Sequence, residues 1–481
     1  MAREGRRWLL RPRFSLWAML VLITVIAIPL SYVAHRRNWN LKRKAAYEQL
    51  TARELQFAFE DPTSTSMIVR PRKRNSKESY LLQWWRQVCL EDLTPTMRLF
   101  ASAQWTYSAR NSKPQITDAD LRLLAENFPE IKHVYLFHEP KITDEGLSQF
   151  QKLFQLETLS LYDLPKATGA FLHAFPSGCS PRHLELNELA SLEGRQLAGL
   201  SNMSQLTYLK LRQNPGLSDE TLKGVQIPPT LTTLALEANT PFDVILTDWL
   251  MQVQLEKLML NAQIGRRLAP ALATQTRLEH LQIINAPLVD EDFSFLARCT
   301  ELNELSLECM PIRGDFLASV VSTDRLRRLS LRATILADST LSALERFPNV
   351  EILRLDFTPI QGVGFTDKMR WSKLQAISLS GCQFSENGKE AFARVPKLTD
   401  IFLPDNWTAE DLKRFPPRNK PKSAVLSYAQ PVDPKCAQLP PDVSELRIDR
   451  CPSDLMKPVV PLLEQGKILQ QRWERVETNS R

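Results

Sequence analysis

The side chains best suited to metal binding or covalent chemistry are few and widely spaced. Six histidines and seven cysteines are spread over 481 residues. The sequence lacks the motifs that mark zinc proteases, Cys-x-x-Cys sites, phosphate-binding loops, dinucleotide-binding turns and serine hydrolases. His133 and His138 lie five residues apart and could be paired metal ligands, but we favour the interpretation that they are ordinary surface histidines. We therefore predict no catalytic residues, no metal and no cofactor, although distant residues could still assemble a site that leaves no local motif.

The cysteines favour a structural role. Seven are too few for a scaffold built on disulfide bonds. Cys382 and Cys451 fall at a repeat position where a polar side chain bonds the neighbouring turn. Alternatively, Cys436 and Cys451 form a disulfide if this part of the chain is exported. The odd number of cysteines then leaves at least one thiol free.

The elements that must position any site are repeats. A segment with apolar residues at its first, fourth and sixth positions recurs at intervals of 23 to 25 residues. A period of 20–29 residues with this pattern is typical of leucine-rich repeats. Two weaker copies begin at Pro421 and Val443. The twelve clear copies begin at Ile131, Leu156, Pro181, Leu206, Leu231, Leu255, Leu278, Leu302, Leu326, Val350, Leu374 and Leu398.

The pattern predicts an α/β fold, a right-handed leucine-rich repeat solenoid or horseshoe. Its short strands stack into a parallel sheet on the concave side with their leucines pointing inward, and helices return on the convex side. One repeat cannot bury its own apolar face, so stability comes from stacked neighbours. Return segments 142–154, 217–225 and 337–347 are predicted to be helical. A carboxylate at each start (Asp144, Asp219 and Asp338) is expected to cap that helix.

The Thr/Ser-Asp-x-x-Leu helix start and the repeat length of about 24 residues resemble the cysteine-containing leucine-rich repeats of F-box proteins. They resemble even more the bacterial membrane-anchored leucine-rich repeat proteins. The resemblance covers roughly residues 116–450 and implies a protein-binding role without catalysis. The ninth repeat position departs from that pattern in half of the copies. It is polar at Asn214, Asn239, Thr334, Thr358, Cys382 and Asn406, but not of the expected type at Glu139, Leu164, Leu189, Gln263, Ala286 and Met310.

An uncharged segment near the N-terminus predicts one transmembrane helix ahead of the solenoid. Residues 14–34 contain no charged side chain, and a helix of this length covers about 30 Å, the thickness of a hydrocarbon core. A cleaved signal peptide and a buried core helix are the alternatives. Five basic residues stand on each side of the segment, so charge does not decide the orientation. An arginine-rich tail is hard to translocate, which places the repeats on the exported side.

The charge distribution argues against nucleic-acid binding. Residues 1–115 contain 20 Lys+Arg and 8 Asp+Glu, whereas the rest contains 41 and 46, and no binding module accompanies the basic stretch. A helix is predicted over residues 41–60. We expect a basic tail (1–13), a membrane helix (14–34), a basic juxtamembrane linker (35–78), an N-terminal cap (79–115), repeats (116–413), degenerate repeats or a C-terminal cap (414–455) and a polar tail (456–481).

The variable strand positions predict two candidate binding patches on the concave face. The aromatic patch contains His133, Tyr135, Phe137, Tyr162 and Tyr208. The basic patch contains Arg327, Arg328, Arg332 and Arg354. A folded N-terminal cap could instead cover the aromatic patch, and the arginines could instead form ordinary ion pairs with Glu304, Glu308, Glu351 and Asp356. The leading hypothesis is a membrane-anchored, non-enzymatic module that binds another protein or an extended peptide. A cell-envelope glycan binder and an F-box-like ubiquitin-ligase adaptor are the alternatives.

Overall fold

The protein divides into two compact units in a computed structural model, Met1–Thr158 and Leu159–Arg481. Within the long N-terminal helix, side chains are described from residue 30 onward and at residues 24, 27 and 28. The side chains of strands 56–59, 97–101 and 445–449, and most of those of strand 423–427, are not described. The structure describes residues 16–53, 56–59, 97–101, 116–176, 181–366, 368–369, 371, 373–395, 398–408, 411–416, 423–427 and 445–449.

The first unit starts with a long helix and contains the first strands. The helix spans Leu16–Thr51. Strand β1 (Gln56–Phe59) pairs antiparallel with β2 (Met97–Ala101), and β2 pairs parallel with β3 (His133–Phe137). Further helices span Asp118–Asn127 and Asp144–Ser148, and a 3-10 helix spans Gln149–Lys152.

The end of the long helix packs within the first unit. Arg43 is buried, pairs with Glu130, and lies over the rings of Trp39 and Phe128, with the guanidinium carbon 4.5 Å and 5.0 Å from the ring centroids. Leu50, about two helical turns after Arg43, is fully buried. This part of the helix predicted over residues 41–60 therefore contributes to the core of the first unit.

The N-terminal helix ends earlier than the sequence predicts. The helix predicted over 41–60 is correct only to Thr51, because Gln56–Phe59 is a strand. Among the residues that the structure describes, no helix has both the length and the apolar character to cross a membrane. Most side chains of the predicted membrane segment 14–34 lie outside the described residues. Residues 60–96, which span the second part of the predicted linker (35–78) and the first part of the predicted N-terminal cap (79–115), lie outside them as well.

The remaining strands follow one another in chain order, and each pairing described between β5 and β16 is parallel. They fit the stacked sheet of a leucine-rich repeat solenoid, and the strands predicted for the twelve clear copies are confirmed as β3 to β14. The two weaker copies are strands as well. The strands are β4 (Thr158–Tyr162), β5 (His183–Asn187), β6 (Tyr208–Arg212), β7 (Thr233–Glu237), β8 (Lys257–Asn261), β9 (His280–Ile284), β10 (Glu304–Glu308), β11 (Arg328–Ser330), β12 (Ile352–Arg354), β13 (Ala376–Ser378), β14 (Asp400–Phe402), β15 (Ser423–Ser427) and β16 (Glu445–Asp449).

The return segments are less helical than the sequence suggests. Residues 217–225 contain turns and no helix, so that prediction is wrong. Most of the others are short 3-10 helices, because each return must fit a repeat of only about 24 residues. In the second unit α-helices span Val244–Gln252, Leu268–Leu272, Asp338–Leu341 and Glu386–Ala393; 3-10 helices span Ala170–Ala174, Gly194–Asn202, Asp290–Arg298, Asp315–Ser319, Ser342–Arg346 and Asp411–Arg414.

Aspartates at the starts of the return segments bond the next repeat instead of their own helix. The Asp219 carboxylate accepts hydrogen bonds from the backbone N–H groups of Asp243, Val244 and Ile245 at 3.0–3.1 Å. Asp338 accepts from N–H groups of the following repeat in the same way. The expectation that Asp219 and Asp338 cap their own segments is therefore wrong. These carboxylates link consecutive repeats.

The ninth repeat position forms part of the expected polar ladder. The Asn214 side chain accepts from the Leu189 N–H at 2.9 Å and donates to the Leu186 carbonyl at 2.8 Å. The Cys382 thiol donates to the Leu355 carbonyl at 3.2 Å. The structural role predicted for Cys382 is confirmed.

Two other ninth positions differ from expectation. Asn239 is exposed, and the hydroxyl of Thr240 donates to the Leu217 carbonyl instead, so the ladder shifts by one residue in that repeat. Glu139 is buried and accepts from the Ile116 N–H at 3.2 Å. A carboxylate therefore replaces the usual amide or hydroxyl at the start of the repeats.

Candidate binding face

The alternation of burial along the strands defines an outward face of the sheet. In β3, β6 and β9 every second residue is buried, and the residues between them are half-buried. Since successive side chains of a strand point to opposite sides, the third, fifth and seventh repeat positions lie on one face. This is the concave face in a leucine-rich repeat. All but one of the predicted binding residues occupy these positions; Arg327 is at the second.

The first three aromatic candidates lie on β3. His133, Tyr135 and Phe137 are all half-buried. The His133 ring nitrogen Nδ1 lies 3.0 Å from the hydroxyl of Thr158. In the register of the sheet, Arg98 of β2 faces His133, so a strand from the expected N-terminal cap lies directly beside these residues.

Tyr162 and Tyr208 do not form a single patch in the second unit. The Tyr162 hydroxyl donates to Glu188 at 2.7 Å, and this bond raises the pKa of Tyr162 above its usual value. Tyr208 stacks on His183, with ring centroids 5.3 Å apart. Burial raises the pKa of Tyr208. Each tyrosine is thus engaged with its own neighbour, and His183 is a face residue that the sequence analysis missed.

A ladder of charges crosses β5 to β7. Arg212 lies 4.0 Å from Glu188 and 2.9 Å from Glu237, with its side chain about one-third exposed. Exposed pairs of this kind contribute about 0–1 kcal/mol each. Their main effect here is to fix the charged side chains at one rim of the face.

A shallow depression of about 310 Å³ lies next to that ladder on strands β6 to β9. Its lining includes Tyr208, Lys210, Met259, Gln282 and Ile284. Met259 and Gln282 occupy adjacent places in the β8–β9 register. The lining therefore combines aromatic, aliphatic and amide groups with the charged side chains of Lys210 and Glu237. The uncharged groups suit a side chain from a partner better than they suit an ion.

On the far side of the depression, β9 to β12 carry a second ladder. Glu304 lies 3.2 Å from the His280 ring and 3.4 Å from the Arg328 guanidinium, and Arg327 lies 2.9 Å from Glu351. Burial lowers the pKa of His280, with Glu304 acting in the opposite direction. Two of the four predicted arginines therefore form the ion pairs that were the alternative interpretation.

The other two predicted arginines differ. Arg332 and Arg354 are exposed, and among the described residues neither has a carboxylate partner. The guanidinium carbon of Arg332 lies 5.3 Å from the ring centroid of Phe357. Phe357 is 42% exposed and was missed by the sequence analysis, because an aromatic residue just beyond a three-residue strand gives no periodic signal.

Two carboxylates on the same face are sequestered. Glu308 is buried and accepts hydrogen bonds from the hydroxyls of Ser306 and Ser330 at 2.9 Å and 2.8 Å. Asp356 is buried, accepts from the Ser378 hydroxyl, and accepts from the Ser380 N–H at 3.1 Å. The expected partners of Arg332 and Arg354 are thus held by serines.

The described residues contain no cluster of three or more His, Cys, Asp or Glu side chains suited to a metal ion. Cys299 and Cys382 are free and buried, and burial raises the pKa of Cys299 to about 11. A thiol with that pKa is protonated at neutral pH and a poor nucleophile. The possible Cys436–Cys451 pair lies outside the described residues.

Comparisons with known proteins give limited similarity. No protein-family model matches the chain, and no curated protein matches it in sequence. Among solved structures, an internalin (inlF) from Listeria monocytogenes strain 4b F2365 has a TM-score of 0.43 at 22% identity, covering 60% of this chain and 77% of that chain. An internalin C2 (inlC2) from the same strain has a TM-score of 0.32 at 20% identity, covering 46% and 84%.

Proposed function

We propose that this chain is a non-enzymatic interaction module that binds an extended segment of another protein across the outward face of its sheet. The observation that carries the proposal is the depression on β6 to β9, which is lined mostly by uncharged residues, with Lys210 and Glu237 as its charged members, and lies between two ladders of paired charges. Protein interfaces combine a less charged centre with a polar rim in this way.

The parallel sheet favours an extended partner. Successive strands are about 4.8 Å apart, so equivalent positions repeat across the face at that spacing. An extended chain crossing the strands can place one side chain in the depression while its neighbours contact the charged rims. Met259, with its flexible thioether, is suited to adapt to such a side chain.

A pair of matched substitutions tests this proposal. The full-length chain in detergent would be used to select binding segments from a displayed peptide library. Met259→Glu places a charge in the depression, whereas Met251→Glu places the same charge on the exposed face of helix Val244–Gln252, where Met251 is 62% exposed. We expect the selected segments to lose at least about tenfold in affinity with Met259→Glu only, the loss expected for a well-packed anchor position. Equal affinities of the two variants would contradict the proposal.

Anchoring to a membrane through residues 14–34, with the repeats on the exported side, is a further part of the proposal. It is supported by the uncharged sequence of that segment. It is also supported by the apolar side chains of Ile28 and Leu30, which are 69% and 62% exposed on the long helix. These two residues are about half a turn apart, so aliphatic side chains are exposed on opposite sides of the helix, as expected where lipid replaces water.

A further inference from the structure

Three consecutive repeats build an arginine–aromatic platform at the ends of β11 to β13, made of Arg332, Phe357 and Gly381. Arg332 covers one side of the Phe357 ring. Gly381 lies under the ring so closely that a Cβ at this position would sit 2.3 Å from the ring carbon Cδ1. The ring is thus held between two repeats while 42% of the residue stays exposed.

The backbone at Phe357 is not special to this site. Phe357 has φ 56°, and the same left-handed turn occurs at the equivalent residues of other repeats, including His138, Gln213 and Ala333. What distinguishes this repeat is the exposed ring that the turn presents. An aromatic side chain with fixed orientation loses little conformational entropy when it binds.

Arg354 extends the platform by one strand. It faces Ser330 in the β11–β12 register, so it lies diagonally across from Arg332. Within the part of the chain that the structure describes, Arg332 and Arg354 lack carboxylate partners, whereas Arg327 and Arg328 have them. The platform thus has two guanidinium groups available for an external anion.

We infer that this platform binds carboxylate side chains of an acidic extended peptide, with Phe357 contacting an apolar residue of the same segment. Guanidinium groups bind carboxylates through paired, charge-assisted hydrogen bonds. The inference rests on the proposed function, which it extends by naming the chemistry of the partner. It places the acidic part of the partner on β11 and β12 and not on the depression.

The charges around the platform favour a peptide over a nucleic acid. Residues 116–481 carry 41 basic and 46 acidic side chains, a net charge of −5. Glu304 lies on β10, the strand before the platform, and Glu351 directly precedes β12. A continuous phosphate backbone would meet these carboxylates, whereas a peptide can alternate acidic and neutral residues.

Synthetic peptides test the inference on the full-length chain in detergent. The probes are a labelled peptide of about 12 residues with alternating Glu, long enough to cross several strands, its Gln counterpart and an oligothymidylate. We expect the Glu peptide to bind about tenfold more tightly than the Gln peptide at low salt, with a difference that shrinks as salt screens the charges. Equal affinities, no binding of the Glu peptide, or tighter binding of the oligothymidylate would overturn the inference.

Charge-reversed variants locate the site. Arg332→Glu with Arg354→Glu should weaken the Glu peptide about tenfold. The matched control, Arg195→Glu with Arg298→Glu, changes two exposed arginines on return segments and should leave affinity unchanged. Phe357→Asn keeps a residue type that tolerates the left-handed turn and should weaken binding several-fold.

The two proposals fail in different ways. If the arginine variants bind the Glu peptide as tightly as the wild type, the inference is overturned. If peptide binding in that case still depends on Met259, the proposed function of the outward face stands, although the arginine–aromatic platform is not part of it. Loss of binding in the Arg195 and Arg298 control alone would overturn both.

Discussion

The side-chain oxygen Oδ1 of Asp290 accepts a hydrogen bond from the backbone N–H of Gly314 at 2.9 Å, 24 residues further along the chain. The same carboxylate accepts from the N–H groups of Arg313 and Phe316 at 2.7 Å and 3.1 Å. It therefore satisfies the free backbone donors at the start of the next repeat's 3-10 helix, which would otherwise need water. The role of a helix cap is thus played by a residue of the preceding repeat.

We predict that Asp290→Ala lowers the free energy of unfolding by about 2–3 kcal/mol, because several N–H groups lose a charged acceptor together. Asp315→Ala is the matched control, since Asp315 is an exposed acid at the start of the neighbouring 3-10 helix. Urea unfolding of both variants measures the difference. Similar decreases in the free energy of unfolding of the two variants would show that the hydrogen bonds between Asp290 and the next repeat add no stability beyond that of an exposed acid.

These carboxylates show why the sequence predicts strands better than it predicts the return segments. Strand residues such as Leu305 and Leu307 alternate with polar ones and are fully buried, so a local pattern reports their environment. The partners of Asp290 are one repeat away, and the motif around it looks like an ordinary N-cap. The sequence alone therefore predicts a capping role for such residues but assigns it to the wrong helix.

The sequence predicts where the arginines of the candidate site lie in the repeats, but not which of them form ion pairs. The repeat register places Arg328, Arg332 and Arg354 on the outward face. Which of them are neutralised depends on contacts between repeats that are set by side-chain conformation. Ser378 donates a hydrogen bond to Asp356, and Glu304 forms an ion pair with Arg328. No local spacing in the sequence distinguishes these outcomes. Arg43 packs on Phe128, a residue far from it in the chain. The sequence alone could not predict this contact either.

The raised pKa of Glu139 predicts a pH-dependent stability of the first unit. Burial raises this pKa to about 7, the Ile116 N–H opposes the shift, and the nearby charge of Asp120 adds to it. The folded state therefore favours the protonated carboxyl. Its stabilising contribution is complete below the ordinary pKa of about 4.5 and is lost as the pH rises through about 7.

We expect Glu139→Gln to reduce the loss of stability between about pH 5 and pH 8 by roughly 1–2 kcal/mol, allowing for partial solvent screening. Glutamine keeps an acceptor for the Ile116 N–H but cannot ionise. Glu145→Gln is the control, because the Glu145 side chain is 70% exposed. Hydrogen exchange of the amides in residues 116–139 across that pH range measures the effect. Parallel profiles for wild type and Glu139→Gln would contradict the expectation.

The proposed anchor predicts that the full-length chain fractionates with membranes and resists extraction by carbonate. Leu22→Arg with Ile26→Arg should release it, since each arginine in a membrane segment costs about 2.5–3.5 kcal/mol. Leu41→Arg is the control, placed on the same long helix beyond the uncharged segment, where Leu41 is 48% exposed. Recovery of the intact wild-type chain in the soluble fraction would rule out the anchor.

Two glycines with the same backbone geometry separate the effect of the Phe357 ring from that of the backbone. Gly224 and Gly381 both have φ 78°. A Cβ at Gly224 would meet nothing within 4 Å, whereas a Cβ at Gly381 would meet Phe357 at 2.3 Å. Gly224→Ala should therefore cost about 1–2 kcal/mol of stability for the left-handed backbone alone.

Gly381→Ala should cost more than Gly224→Ala, because it also displaces the Phe357 ring. The double variant Gly381→Ala with Phe357→Ala removes the clash. We expect Gly381→Ala to be less destabilising by about 1 kcal/mol when Phe357 is already alanine, and a double-mutant cycle by urea unfolding measures that coupling. Gly224→Ala should show no coupling to Phe357→Ala. Additive effects at Gly381 would mean that the glycine does not hold the ring, and the rigid platform assigned to Phe357 would lose its physical basis.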